Sequence, residues 1–147
     1  MKQFFLIMTL SLAVVFSTAA APAPAEEPAI EKTFRQVFSG ASNVTWSKEE
    51  GKLMKASFLW GDHHTIAYFD NSGKLLGSIR GLFFNQLPLS VIRSVNTEFE
   101  GHIVLEVREI ANDEGVSYTV MTEHKDKKYK LRLDSLGGVI EKEKLKK

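Results

Sequence analysis

The sequence predicts an α+β fold: a tandem repeat of a helix followed by a four-stranded antiparallel meander, with the helices packed on one sheet face. Two observations carry this expectation. The stretches "TIAYFDNSGKLL" (65–76) and "YKLRLDSLGGVI" (129–140) share one form, an alternating strand that runs into Asp-x-x-Gly and resumes as apolar residues. A short amphipathic run also precedes each of the two sets of alternating segments.

In chain order, "AIEKTFRQVFSG" follows Pro28, spaces Ile30, Phe34, Val37 and Phe38 as one helical face, and stops at Gly40. Four strands are then expected. "NVTWS" alternates Val44 and Trp46; "LMKASFLW" alternates Met54, Ala56, Phe58 and Trp60 against Leu53, Lys55, Ser57 and Leu59; "TIAYF" puts Thr65, Ala67 and Phe69 on one face; "KLLGSIR" closes the set. The second half repeats the order. "LPLSVIRSVNTEFEG" offers Leu89, Ile92, Val95 and Phe99 as its helical face and ends at Gly101. Ile103, Leu105 and Val107, then Val116, Tyr118 and Val120, then Tyr129, Leu131 and Leu133 alternate inward before "GVIEKEK". The pairs Asp70/Gly73 and Asp134/Gly137 read as the last turn of each unit: a carboxylate accepts backbone N–H groups two residues on, and glycine enters the left-handed region cheaply. A calcium loop would need more oxygen ligands at alternating positions.

Residues 1–20 read as an export signal. Lys2 precedes an apolar stretch, Phe4 to Phe16, broken only by Thr and Ser, and "STAAAPAPA" supplies small residues for cleavage. The stretch is shorter than the ~20 residues of a membrane span. Residues 21–28 read as an Ala/Pro-rich tether, followed by units at 29–81 and 82–147 within one domain. The expected address is periplasmic or secreted, with no stable membrane insertion after signal cleavage. The chain has no cysteine, so neither a lipid-modified terminus nor a disulfide is expected. Without residues 1–20, eighteen basic residues balance eighteen acidic ones, which gives no support for a nucleic-acid partner.

No G-x-S-x-G, H-E-x-x-H or cysteine-based arrangement appears, so the chain reads as no enzyme and no cofactor is expected. "GDHH" holds the weak metal candidates His63 and His64, but neighbours on a strand point to opposite faces, and His102 or His124 would have to complete the shell. The sheet face away from the helices would carry Leu53, Lys55, Leu59, Ile66 and Tyr68 in the first unit. In the second it would carry Ser117, Thr119, Met121, Lys128, Lys130 and Arg132, giving a half-apolar, half-basic surface. Of the consecutive Phe83 and Phe84, one is expected to pack between the units and the other to be exposed. The candidate partner-binding residues are therefore Leu59, Asp62, Ile66, Tyr68, Phe83 and Phe84, with Asp62 on the tip before the third strand.

"NVTW" after a helix, "KASF", "AYFDNSGKLL", "LPLSVIRSVNTEF" and "GVSYTVMTEHKDKKYKLRLDSLGGVI" resemble the small exported PepSY-like proteins abundant in Bacteroidota, grouped by fold with the β-lactamase inhibitory protein. The likeness covers nearly all of the chain after residue 20 and rests on Trp46, Asp70, Gly73, Pro88, Tyr118 and Gly137. It implies tandem helix-plus-four-strand units, an envelope or extracellular location and non-enzymatic protein binding. The inhibitor's cysteines have no counterpart here. The expected function is an exported binding module that inhibits or modulates an envelope or secreted protein such as a peptidase; the alternative is a periplasmic small-ligand or metal-binding sensor.

Overall fold

The computed structural model describes residues 28–145. The expected signal (1–20) and all of the tether except Pro28 lie outside the described residues. The elements run α1 (Ala29–Val37), β1 (Ser42–Glu49), β2 (Leu53–Trp60), β3 (His63–Phe69), β4 (Leu75–Leu82), α2 (Leu89–Glu98), β5 (Ile103–Asn112), β6 (Gly115–His124), β7 (Lys127–Asp134) and β8 (Val139–Leu145).

The predicted fold class needs correction. The architecture is a single eight-stranded antiparallel sheet in the order β1 to β8, with two short helices on it, rather than a tandem of helix-plus-four-strand units. The cause is the β4–β5 pairing. Gly77 to Leu82 pair with Asn112 to Val107, so the hydrogen-bond ladder continues through the place where one unit was expected to end. Leu82, expected to open the second unit, is the last residue of β4.

Apolar burial under the helices forms two clusters on this one sheet. The first gathers Phe34, Phe38, Ala56, Phe58, Ala67 and Phe69. The second gathers Leu87, Val91, Val95, Phe99, Val107, Tyr118, Val120, Leu131 and Leu133. Between them the helix-side row reads Phe58, Thr65, Arg80, Glu109, Tyr118, Leu133 from β2 to β7. Arg80 Nη2 donates to Glu109 Oε1 at 2.8 Å, its guanidinium stands 5.6 Å from the Trp60 ring, and the Tyr118 hydroxyl donates to Glu109 Oε2 at 3.4 Å. A polar seam thus joins two apolar cores.

Burial, and then the Glu109 carboxylate, raise the Tyr118 phenol above its ordinary 10.0. A raised folded value means that folding favours the protonated form. This contribution to stability is complete below pH 10.0 and is lost as pH rises through the folded value. Melting followed into the alkaline range should show that loss in the wild type and a smaller one in Tyr118→Phe.

The helical stripes differ from expectation. Both helices bury residues at i, i+4 and i+8: Ile30, Phe34 and Phe38, then Val91, Val95 and Phe99. Val37 is 45% and Leu89 62% exposed. Each i+3 step swings a side chain back by about 60°, whereas an i+4 step advances it by about 40°, so the predicted step from Leu89 through Ile92 to Val95 leaves Leu89 off the buried stripe. In β5 an irregularity between Val104 and Glu106 breaks the alternation. Val104 and Val107 face the helices, while Ile103 and Leu105 are exposed.

The two Asp-x-x-Gly turns fasten the helices. Asp70 Oδ1 accepts from Ser72 N at 2.8 Å, Ser72 Oγ at 2.6 Å and Lys74 N at 3.0 Å, and these bonds hold its carboxyl below the usual carboxylate value. Asp134 Oδ1 accepts from Leu136 N and Gly138 N, each at 2.8 Å. Gly73 and Gly137 have φ of 87° and 88°. A Cβ on Gly73 would lie 2.8 Å from the Ala29 carbonyl carbon, and one on Gly137 2.7 Å from Ser90 O. Each turn therefore packs against the first turn of its helix, and Ser94 Oγ of α2 donates to Gly137 O at 2.7 Å.

Candidate binding face

With both helices on one side, the other side of the sheet carries no described element. Its composition follows from the cross-strand register, because directly opposed residues share a face. The central row holds Ser57, Ile66, Ile79, Ile110 and Ser117 across β2 to β6. Three isoleucines on adjacent strands shield one another and are each half-buried. One row over, Lys55, Tyr68, Gly77 and Asn112 are in register. Tyr68 is half-buried, Gly77 lies so close to β5 that an added Cβ would stand 2.9 Å from Ala111 O, and Lys55 is tied to Glu49 at 2.8 Å, a bond that raises the lysine's pKa. On the opposite flank Leu59 pairs with His64 on β3, and Arg108, Thr119, Arg132 and Glu141 run from β5 to β8.

The sequence-predicted residues separate into two places. Leu59, Ile66 and Tyr68 lie on the open face, the first 37% exposed. Asp62 is exposed in the two-residue connection between β2 and β3, with φ of 64° beside Gly61 at 54°, the left-handed pair that suits a tight hairpin. Phe83 and Phe84 stand at the end of β4: Phe83 is 71% exposed, and Phe84 packs against the second core cluster.

His63 and His64 diverge, as adjacent strand residues do. His63 Nε2 lies 3.2 Å from Gln86 Nε2. His64 belongs to the open face. His102 and His124 form a separate pair with ring centroids 4.7 Å apart, and their Nδ1 atoms lie 3.2 and 3.1 Å from the carbonyls of Glu100 and Gly101. Among the described residues no three His, Cys, Asp or Glu side chains come together around a metal position.

The expected half-basic surface is instead mixed in charge. Arg132 faces Glu141, Lys130 faces Glu143, Glu123 faces Lys128, and Glu106 accepts from Arg108 Nε at 2.6 Å. The glutamates of β8 were not placed on this face from sequence, because an irregularity at Arg132/Leu133 sets the β8 register. Ile79 and Ile110 were also missed. Their signal was present: Ile110 is out of phase with the inward Val107, and Ile79 stands between Gly77 and Gly81.

No family model and no curated protein sequence matches the chain. Solved structures do. A BLIP-like protein of Bacteroides fragilis NCTC 9343 aligns at 19% identity over 84% of this chain and 89% of that one, with a TM-score of 0.71. A candidate periplasmic protein of Bacteroides eggerthii DSM 20697 aligns at 16% identity over 84% and 90%, TM-score 0.70. A DUF2874 family protein of Bacteroides ovatus ATCC 8483 aligns at 16% identity over 83% and 89%, TM-score 0.70. The chain shares the BLIP-like fold with these proteins.

Proposed function

We propose that this chain is an exported, PepSY-like, non-enzymatic binding module that holds an envelope or secreted protein, a peptidase being one such class, against its open sheet face. The observation that carries this reading is the Ile66–Ile79–Ile110 strip beside Tyr68 on a face that no described element covers. An apolar centre with an aromatic residue and a charged rim is the composition of a protein contact. The mixed rim of Arg108, Arg132, Glu106 and Glu141 suits a partner carrying both signs of charge. Export is supported by the Bacteroides eggerthii neighbour's description and by the predicted signal at residues 1–20. No described helix is long and apolar enough to cross a membrane. The sensor alternative has less support, since His63 and His64 point to opposite faces.

The test is capture from envelope extract with the wild-type chain, identification of the captured protein, and measurement of its affinity for variants. Tyr68→Ala should lose ~1–3 kcal/mol of binding and leave melting nearly unchanged, because the ring lies on the open face. Arg132→Ala probes the other flank. A captured partner that binds Tyr68→Ala as tightly as wild type, or a Tyr68→Ala chain that fails to fold, overturns the reading.

A further inference from the structure

The two edges of the sheet are built differently. On β8, Glu141 and Glu143 are opposite Arg132 and Lys130 on the open side, and Lys142 and Lys144 are opposite Leu131 and Tyr129 on the helix side. A two-fold axis normal to the sheet keeps each face on its own side. Pairing of β8 with its copy centred on Lys142 or Glu143, the registers that use most of the strand, would therefore set Glu against Glu and Lys against Lys. Such an edge resists self-association.

On β1 the outer edge has no strand beside it among the described residues, and from Thr45 to Glu49 its register with β2 is unbroken. Within β1 only Trp46 is half-buried, and the other residues are exposed. Centred on Ser47, this stretch pairs with itself without opposing like charges. Trp46 then faces Lys48 of the second copy on the helix side, an ammonium over an indole, and Thr45 faces Glu49 of the second copy on the open side. We propose that β1 is a self-pairing edge: two copies of this chain join antiparallel through Thr45–Glu49, forming one continuous sheet with both open faces on the same side. The contact is short, so the dimer forms at high protein concentration and exchanges readily.

Sedimentation velocity on the purified chain, from micromolar to near-millimolar concentration, reads the association. Wild type should pass from monomer to dimer as concentration rises. Ser47→Glu is supported within the chain by Lys55, directly opposite on β2, yet sets a carboxylate against its own copy at the axis; it should weaken dimerisation by about threefold to tenfold. An equimolar mixture of Ser47→Glu and Ser47→Lys should restore it, and Thr45→Lys, facing Glu49 of the second copy, should tighten it. Melting of each variant checks that the fold is kept. A wild-type chain that stays monomeric throughout overturns the proposal. So does a Ser47→Glu chain that dimerises like wild type, and so does loss of the dimer in Tyr68→Ala, which would move the contact to the open face.

Discussion

Phe58→Ala should lower the unfolding free energy by ~3–5 kcal/mol. Phe58 is 2% exposed and its ring lies 4.8 Å from both Phe34 and Phe38, so truncation leaves a cavity between β2 and α1 that short, tethered neighbours cannot fill. Tyr118→Ala should cost a similar amount in the second cluster, where it also frees the Glu109 carboxylate from one donor. Both variants should unfold in a single step. The clusters are distinct, but the β4–β5 ladder and the Arg80–Glu109 pair join them, and either half alone buries one sheet face under one short helix. The measurement has a built-in control: Trp46 and Trp60 both pack against the first cluster, whereas circular dichroism reports the whole sheet. Denaturant curves by the two probes should coincide, and separated curves would mean that the halves unfold independently.

Gly137→Ala should destabilise by about 2–4 kcal/mol. Two costs add at this position. A φ of 88° places any Cβ in the left-handed region, worth roughly 1–2 kcal/mol, and the new methyl would meet Ser90 O, Ser90 C and Ser94 Oγ at 2.7 to 2.9 Å, forcing the start of α2 away from the turn. Gly101→Ala separates the two costs, because its φ is 72° but nothing lies within 4 Å of the added atom. It should show the conformational part alone, and equal losses in the two variants would mean that the α2 contact contributes nothing.

What could be read from sequence was whatever depends on near neighbours. The strand faces of Ala56/Phe58 and Ala67/Phe69, the two Asp-x-x-Gly turns and the expectation that one of Phe83 and Phe84 is exposed follow from alternation and turn chemistry; which of the two it is did not. What escaped depends on register between strands or on small angular differences. The helix stripes were placed on Val37 and Leu89 because i+3 and i+4 spacings look alike in a short helix. Ile103 and Leu105 were turned inward because an irregular pairing leaves no local mark. The β4–β5 register, which removes the tandem division, is a pairing between segments separated by a helix. For the candidate face, Ile66 and Tyr68 were legible one strand at a time, while the isoleucine strip and the acidic partners of Lys130 and Arg132 emerged only once strands were set side by side.

The order of strands in space is the order in the chain, and this bears on how the molecule reaches its fold. Hairpin partners meet across short connections, so little loop-closure entropy is lost before each pairing forms. Only β4 and β5 must find each other across an intervening helix. Their zipping together is therefore the natural late event of folding: the two halves gain local structure first, and cooperativity arrives when Gly77–Leu82 meets Val107–Asn112.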